Sequence, residues 1–248
     1  MSRACDCPFE KGDDPSVTCS FRKKIDMQRL LEEADPSDLK EWSLLYHHNA
    51  FEKIDMGENI HGIWGASTVD MLHAFRHGIV KYVLHIFFED NLTPKGRNAI
   101  DRYVRQLTSG AKQSGDKSFP RTSFPHGVTS LAYTTHAEKI GILMLLVFML
   151  SSQDGLDELE PLWYGQLSLR NDWLYLFEML LCFDAWTHNG KMWRLTETAV
   201  LPHEETSCRE AISTILFHVK EISPREEACR WKITKFHEQL HLPSYITM

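Results

Sequence analysis

Long apolar runs are what this 248-residue chain has least of. The longest, Ile140 to Leu150 (IGILMLLVFML), falls well short of the roughly 20 residues that cross a bilayer, so it predicts a core helix and no membrane partner. Internal repeats and low-complexity tracts are missing, which excludes solenoids and biased linkers. Also missing are a glycine-rich phosphate loop, a G-x-S-x-G elbow and a C-x-x-C pair. With them go the commonest nucleotide, serine-hydrolase and dithiol chemistries, and no small-molecule cofactor is expected. Positive charge is in deficit: 27 Lys and Arg face 34 Asp and Glu, a formal net charge of -7. A whole-domain electrostatic footprint for nucleic acid is therefore absent, and any DNA contact has to come from a local basic stripe. No segment alternates convincingly as a strand.

What remains is helical. At 43% hydrophobic content the chain can build one large core or two small ones. The reading is a mainly α, multi-helix globular protein with few or no strands, in three parts. Residues 1–24 form an irregular leader carrying Cys5, Cys7 and Cys19, residues 25–155 a first helical region, and residues 156–248 a second, with the boundary in the stretch 153–169. Six cysteines behind a polar, acidic N-terminus read as reduced thiols of an intracellular protein. Asp35-Pro36 starts one helix, running through His47, and Thr93-Pro94 another to about Leu107, with Ile100, Tyr103, Val104 and Leu107 inward. Thr135-x-x-Glu138 reads as a capping box opening a helix over 136–151. Further helices begin near Asn171 and Ser207, and a last one ends at His241 before Pro243.

The segment His61 to Phe88 organises the rest. Gly62 and Gly65 permit a tight loop, Ser67 or Thr68 stands at an N-cap position, and Leu72, Phe75, Ile79, Val83 and Ile86 recur at three and four as the buried face of a helix. Asp70 and His73 are neighbours in its first turn, a carboxylate beside an imidazole at the positive end of the dipole. Such a pair is a capped helix end, a catalytic dyad or a metal-binding pair. His77 and His85 add imidazoles to the same helix. Asn49 to Gly65 holds Phe51, Ile54, Met56, Ile60 and Trp64, too many large apolar groups for a solvated connection, and is expected to pack down.

Two further patterns bear on metals. Cys5-x-Cys7 with Cys19 lacks the fourth ligand and the wider spacing of a closed zinc site. His237-Glu238-Gln239-Leu240-His241 is a literal H-E-x-x-H, in which two histidines bind zinc and the glutamate acts as base. A catalytic zinc needs a third protein ligand, and only LPSYITM follows, so that ligand would have to come from upstream. The plainer reading sets both histidines on an exposed or interface face of a terminal helix, and zinc is not expected.

Asn49 to Leu84, Phe119 to Glu138 and Trp231 to Ile246 together resemble, in the expected order, transposase-like reading frames of eukaryotic DNA transposons related to the CACTA and hAT-like superfamilies. Asp70-x-x-His73 is similar to the C/D-x-x-H signature of those enzymes. The resemblance implies catalytic roles for Asp70 and His73, a nuclear protein, and DNA or other transposase segments as partners. It also implies a ribonuclease-H-like core in which three acids hold two Mg²⁺ ions for strand cleavage and transfer. Here no strand-borne Asp precedes Asp70, and the third acid would fall beyond Met248 rather than at Glu138. The expectation is a fragmentary or domesticated transposon protein that matches the helical part of a DDE-type transposase, lacks the full acidic triad, is inactive alone, and itself needs no cofactor. The alternatives are a helical protein-interaction module and a zinc hydrolase using His237 and His241.

Overall fold

A computed structural model describes residues 5–7, 11–12, 14–17, 19–41, 60–62, 71–108, 124, 126–159, 170–188, 202–223 and 234–242. Among them an isolated antiparallel bridge joins Cys5 to Phe21, no residue is assigned to an extended strand, and the protein is mainly α. The helices are α1 (Lys24–Glu33), α2 (Pro36–Glu41), α3 (Met71–Val80, Lys81–His85 and Ile86–Asp90 in unbroken succession), α4 (Pro94–Thr108), α5 (His136–Ser151), α6 (Gln153–Leu159), α7 (Arg170–His188), α8 (Pro202–Ile222) and α9 (Thr234–Leu240).

The chain forms two compact units that are discontinuous in sequence. Unit 1 holds Met1–Asp70, Gly190–Leu216 and Arg225–Met248, and unit 2 holds Met71–Asn189 and Phe217–Pro224. Met1–Asp70 and Arg225–Met248 thus fall in the same unit, and residues 155 and 156 both fall in the other.

In unit 2 local chemistry starts the helices where the sequence places them. Thr93 Oγ1 accepts the Gly96 amide at 3.0 Å, with Pro94 at the first position of α4. Thr135 Oγ1 accepts the Glu138 amide at 3.3 Å while Glu138 returns a carboxylate oxygen to the Thr135 amide at 2.7 Å, a complete capping box that starts α5 at His136. The apolar run inside α5 is core: Ile142, Leu143, Leu146, Met149 and Leu150 are buried. No described helix is long and apolar enough to cross a membrane. In α4, Ile100 and Val104 face inward as expected, but Leu107 is exposed, because it falls in the last turn, beyond the reach of the core.

Helix α3 departs from the expected α winding. Met71–Val80 and Ile86–Asp90 are wound wider, with π-type i→i+5 hydrogen bonds, around an α-helical centre. Phe75, Ile79, Val83 and Ile86 are buried as the periodicity requires, but so are Val80, Leu84, Phe87 and Phe88. The broader buried face follows from two neighbours. Phe75 stacks on Phe183 of α7 at 4.9 Å, Phe87 meets Trp173 and Phe177 edge-on at 5.0 and 5.1 Å, and α5 packs along the first turns.

In unit 1 the backbone pairs residues 5–7 with 19–21. The Asp6 amide donates to Ser20 O at 3.2 Å, and the Ser20 amide donates to the Asp6 carboxylate at 2.8 Å. Gly62 has φ +54°, so its position in the loop ahead of α3 uses the left-handed conformation that glycine tolerates best. Gly65, most of the Asn49–Gly65 stretch and the end expected for the Pro36 helix lie outside the described residues; Ile60, expected to pack down, is exposed.

Candidate functional site

Of the Asp70-x-x-His73 pair, Asp70 lies outside the described residues and His73 is an exposed residue of the first turn of α3. The turns of α3 and the start of α5 bring three imidazoles together: His73 lies 6.3 Å from His77 and 5.4 Å from His136 between ring centroids, and His77 lies 4.8 Å from His136. Nothing in the linear sequence singles out His136, which joins them only because α5 packs against α3. Along α3, His73, His77, Lys81 and His85 recur every fourth residue, none of them fully buried. Lys139, fully buried on α5, donates through Nζ to Thr134 O at 2.8 Å, and burial, then the charge of Lys81, lower its pKa. Arg76 on the same helix forms a two-point pair with Asp184 of α7, Nε to Oδ1 at 2.7 Å and Nη2 to Oδ2 at 2.9 Å. Unit 2 therefore carries a run of imidazole and ammonium groups at the D-x-x-H end of α3.

A second cluster forms in unit 1 from motifs that looked incomplete when read separately. The pairing of 5–7 with 19–21 sets Cys5 against Phe21. Side chains two residues apart on an extended strand share a face, so Cys5 and Cys7 point the same way as Cys19 and Phe21. Helix α9 meets that face. Cys5 Sγ lies 3.2 Å from His237 Nε2, His237 Nε2 lies 3.0 Å from His241 Nε2, and Phe21 packs on the His241 ring at 4.6 Å. One ligand atom from each of Cys5, Cys19 and His237 falls within 4.8 Å of the other two. Cys7 and Cys19 hydrogen-bond through their thiols.

Of the expectation that His237 and His241 lie on an exposed or interface face, exposure is corrected here: they are 2% and 7% exposed. Phe236, Leu240 and Leu242 are buried with them, so the turns at this end of the chain are enclosed on more than one side. Burial, with a smaller contribution from the Arg209 guanidinium, brings the His237 imidazole down to about 4. Burial, then the neighbouring His237, brings His241 down to about 3. Both rings are thus held neutral, the form that binds a metal. Burial raises the Cys7 thiol, and burial with the Cys7 hydrogen bond raises Cys19 far above the ordinary thiol range. None of the five described cysteines is in a disulfide.

The sequence did hold a signal for this meeting. A cysteine set lacking a fourth ligand and a histidine pair lacking an upstream third are complementary deficits, but nothing local says that chain segments 232 residues apart touch. Compared with the profiles of known protein families, with curated proteins and with solved structures, the chain matches none of them.

Proposed function

We propose that this chain is a transposon-derived nuclear protein, equivalent to the helical part of a DDE-type transposase, that engages DNA or partner transposase segments without cutting DNA by itself. Three blocks in the order of the resemblance support this reading. The observation that carries it is the helix that Asp70-x-x-His73 introduces. His73, His77, Lys81 and His85 follow one another at four-residue spacing, and His136 stands beside the first two. A series of imidazole and ammonium donors along one helix is the chemistry that meets successive phosphates, and with Lys81 as its charge it is the local stripe that a chain of net charge -7 needs in order to touch DNA. On this reading the two Mg²⁺ ions of the family are not held by this chain's own acids, and Asp70 and His73 persist as the family motif.

The test is fluorescence anisotropy of the full chain with labelled duplex DNA across a salt series, beside a nicking assay with and without Mg²⁺. Binding should weaken steadily with salt, and Lys81→Ala should lower affinity and reduce the slope by about one phosphate contact. Salt-independent binding, or robust Mg²⁺-dependent nicking, would refute the proposal. A second reading, a protein-interaction module, draws on Phe148 and Phe217, which are 65% and 60% exposed in unit 2. A monodisperse monomer that binds no apolar probe would count against it.

A further inference from the structure

We infer that unit 1 carries a structural zinc site in which Cys5, Cys19, His237 and His241 are the four protein ligands. This goes beyond the reading of the α3 stripe and stands independently of it. A tetrahedral zinc with bonds of about 2.3 Å to sulfur and about 2.0 Å to nitrogen sets its ligand atoms about 3.3–3.8 Å apart. The separations of 3.2 Å between Cys5 Sγ and His237 Nε2, and of 3.0 Å between the two histidine Nε2 atoms, need only a few tenths of an ångström of opening. Cys19 lies within 4.8 Å of Cys5 and His237, and His241 joins the group through His237.

Hydrogen bonding alone serves this arrangement poorly. An imidazole nitrogen offers one in-plane position, occupied either by a hydrogen or by a lone pair. His237 Nε2 nevertheless has both Cys5 Sγ and His241 Nε2 within 3.2 Å, and one hydrogen bond accounts for only one of them. A cation set between the three atoms draws a lone pair from each.

The donor set selects the ion. Two thiolates and two imidazoles in a tetrahedron suit zinc, whereas magnesium and calcium take oxygen ligands. On binding, Zn²⁺ displaces the protons of Cys5 and Cys19, two protons leave, and two thiolates neutralise the ion. The buried site then carries no net charge beyond that of its surroundings, so the burial that disfavours an isolated thiolate no longer opposes ionisation. With four protein ligands no position is left for water, so this zinc fastens the N-terminal turn to α9 and performs no hydrolysis; Glu238 of the H-E-Q-L-H segment lies outside the ligand set. Cys7, hydrogen-bonded to Cys19, supports a ligand instead of being one.

The experiment is metal analysis of the full chain purified without chelators, followed by replacement of the bound metal with cobalt. We expect one zinc per chain and, with cobalt, the visible bands of a tetrahedral site plus a near-ultraviolet charge-transfer band of two-thiolate intensity. Cys5→Ser, Cys19→Ser, His237→Gln and His241→Gln should each weaken metal binding by more than about 100-fold, the upper range for losing an outer-shell partner. Exposed Cys182 provides the control, and Cys182→Ser should bind as the parent does. The cobalt spectrum of the parent protein answers the question even where a variant fails to fold. Protein isolated without zinc that develops no cobalt bands, or that contains a Cys7–Cys19 disulfide, overturns the site. Loss of thiolate intensity in Cys7→Ser with full binding by His241→Gln overturns the assignment of His241.

Discussion

Replacing Asp184 with alanine should destabilise unit 2 by about 3 kcal/mol, the lower end of the roughly 3–5 kcal/mol that follows when one partner of a buried ion pair is removed. The Arg76 and Asp184 side chains are 15% and 9% exposed and meet through two nearly parallel charge-assisted bonds of 2.7 and 2.9 Å. Most of the cost comes from the guanidinium left behind in a site with little water, and its residual exposure is why the lower end applies. Asp184→Asn keeps the shape and one acceptor but loses the charge, so it should cost about half as much. Arg76→Met with Asp184→Leu removes both charges and fills a similar volume, and it should return to within about 1 kcal/mol of the parent. Urea denaturation followed by circular dichroism, run as a double-mutant cycle, measures the coupling, expected to exceed about 2 kcal/mol. The result should change little between low and high salt, because the pair is shielded from bulk ions. A cost below about 1 kcal/mol for Asp184→Ala, with negligible coupling, would mean that the pair behaves like a solvated surface bridge, and the reasoning would fail.

Three other outcomes are expected. Thr135→Ala removes one half of the capping box and should cost about 1 kcal/mol, while Glu138→Gln, which can still reach the Thr135 amide only through its carbonyl oxygen, should cost less; equal losses in the same urea experiment would contradict this. Asp101 accepts the Val128 amide at 2.7 Å, the Thr129 amide at 3.1 Å and the Thr129 hydroxyl at 2.9 Å, so Asp101→Ala should cost about 2 kcal/mol; Gly127→Ala should also destabilise, since its φ of +82° is left-handed and a Cβ would sit 2.6 Å from the Asp101 carboxylate. Burial first, then Lys81, lowers Lys139 from 10.5, so between its lowered folded value and 10.5 the folded chain binds fewer protons than the unfolded one and stability rises with pH. Lys139→Met should flatten that rise, seen as a smaller gain in urea midpoint as the pH climbs toward 10.5, and equal slopes in the two proteins would refute it.

The parts of the fold that were legible in the sequence depend on neighbours a few residues apart. Thr135 and Glu138 cap α5 because the bonds they make close over three residues, and Thr93 with Pro94 starts α4 for the same reason. The apolar run in α5, the inward face of α3 and the left-handed turn at Gly62 are equally local, set by periodicity or by one residue's backbone freedom. The mainly α class follows from them. Only the tertiary structure decided what depends on burial and long-range approach. His237 and His241 read as lying on an exposed or interface face because a helical repeat does not reveal how many sides of a helix will be covered, and the packed fold encloses them. His136 reaches His73 and His77 only through the packing of α5 on α3. Cys5 and His237 meet across 232 residues, because chain proximity at that separation is set by the packing of whole elements and no short-range spacing encodes it.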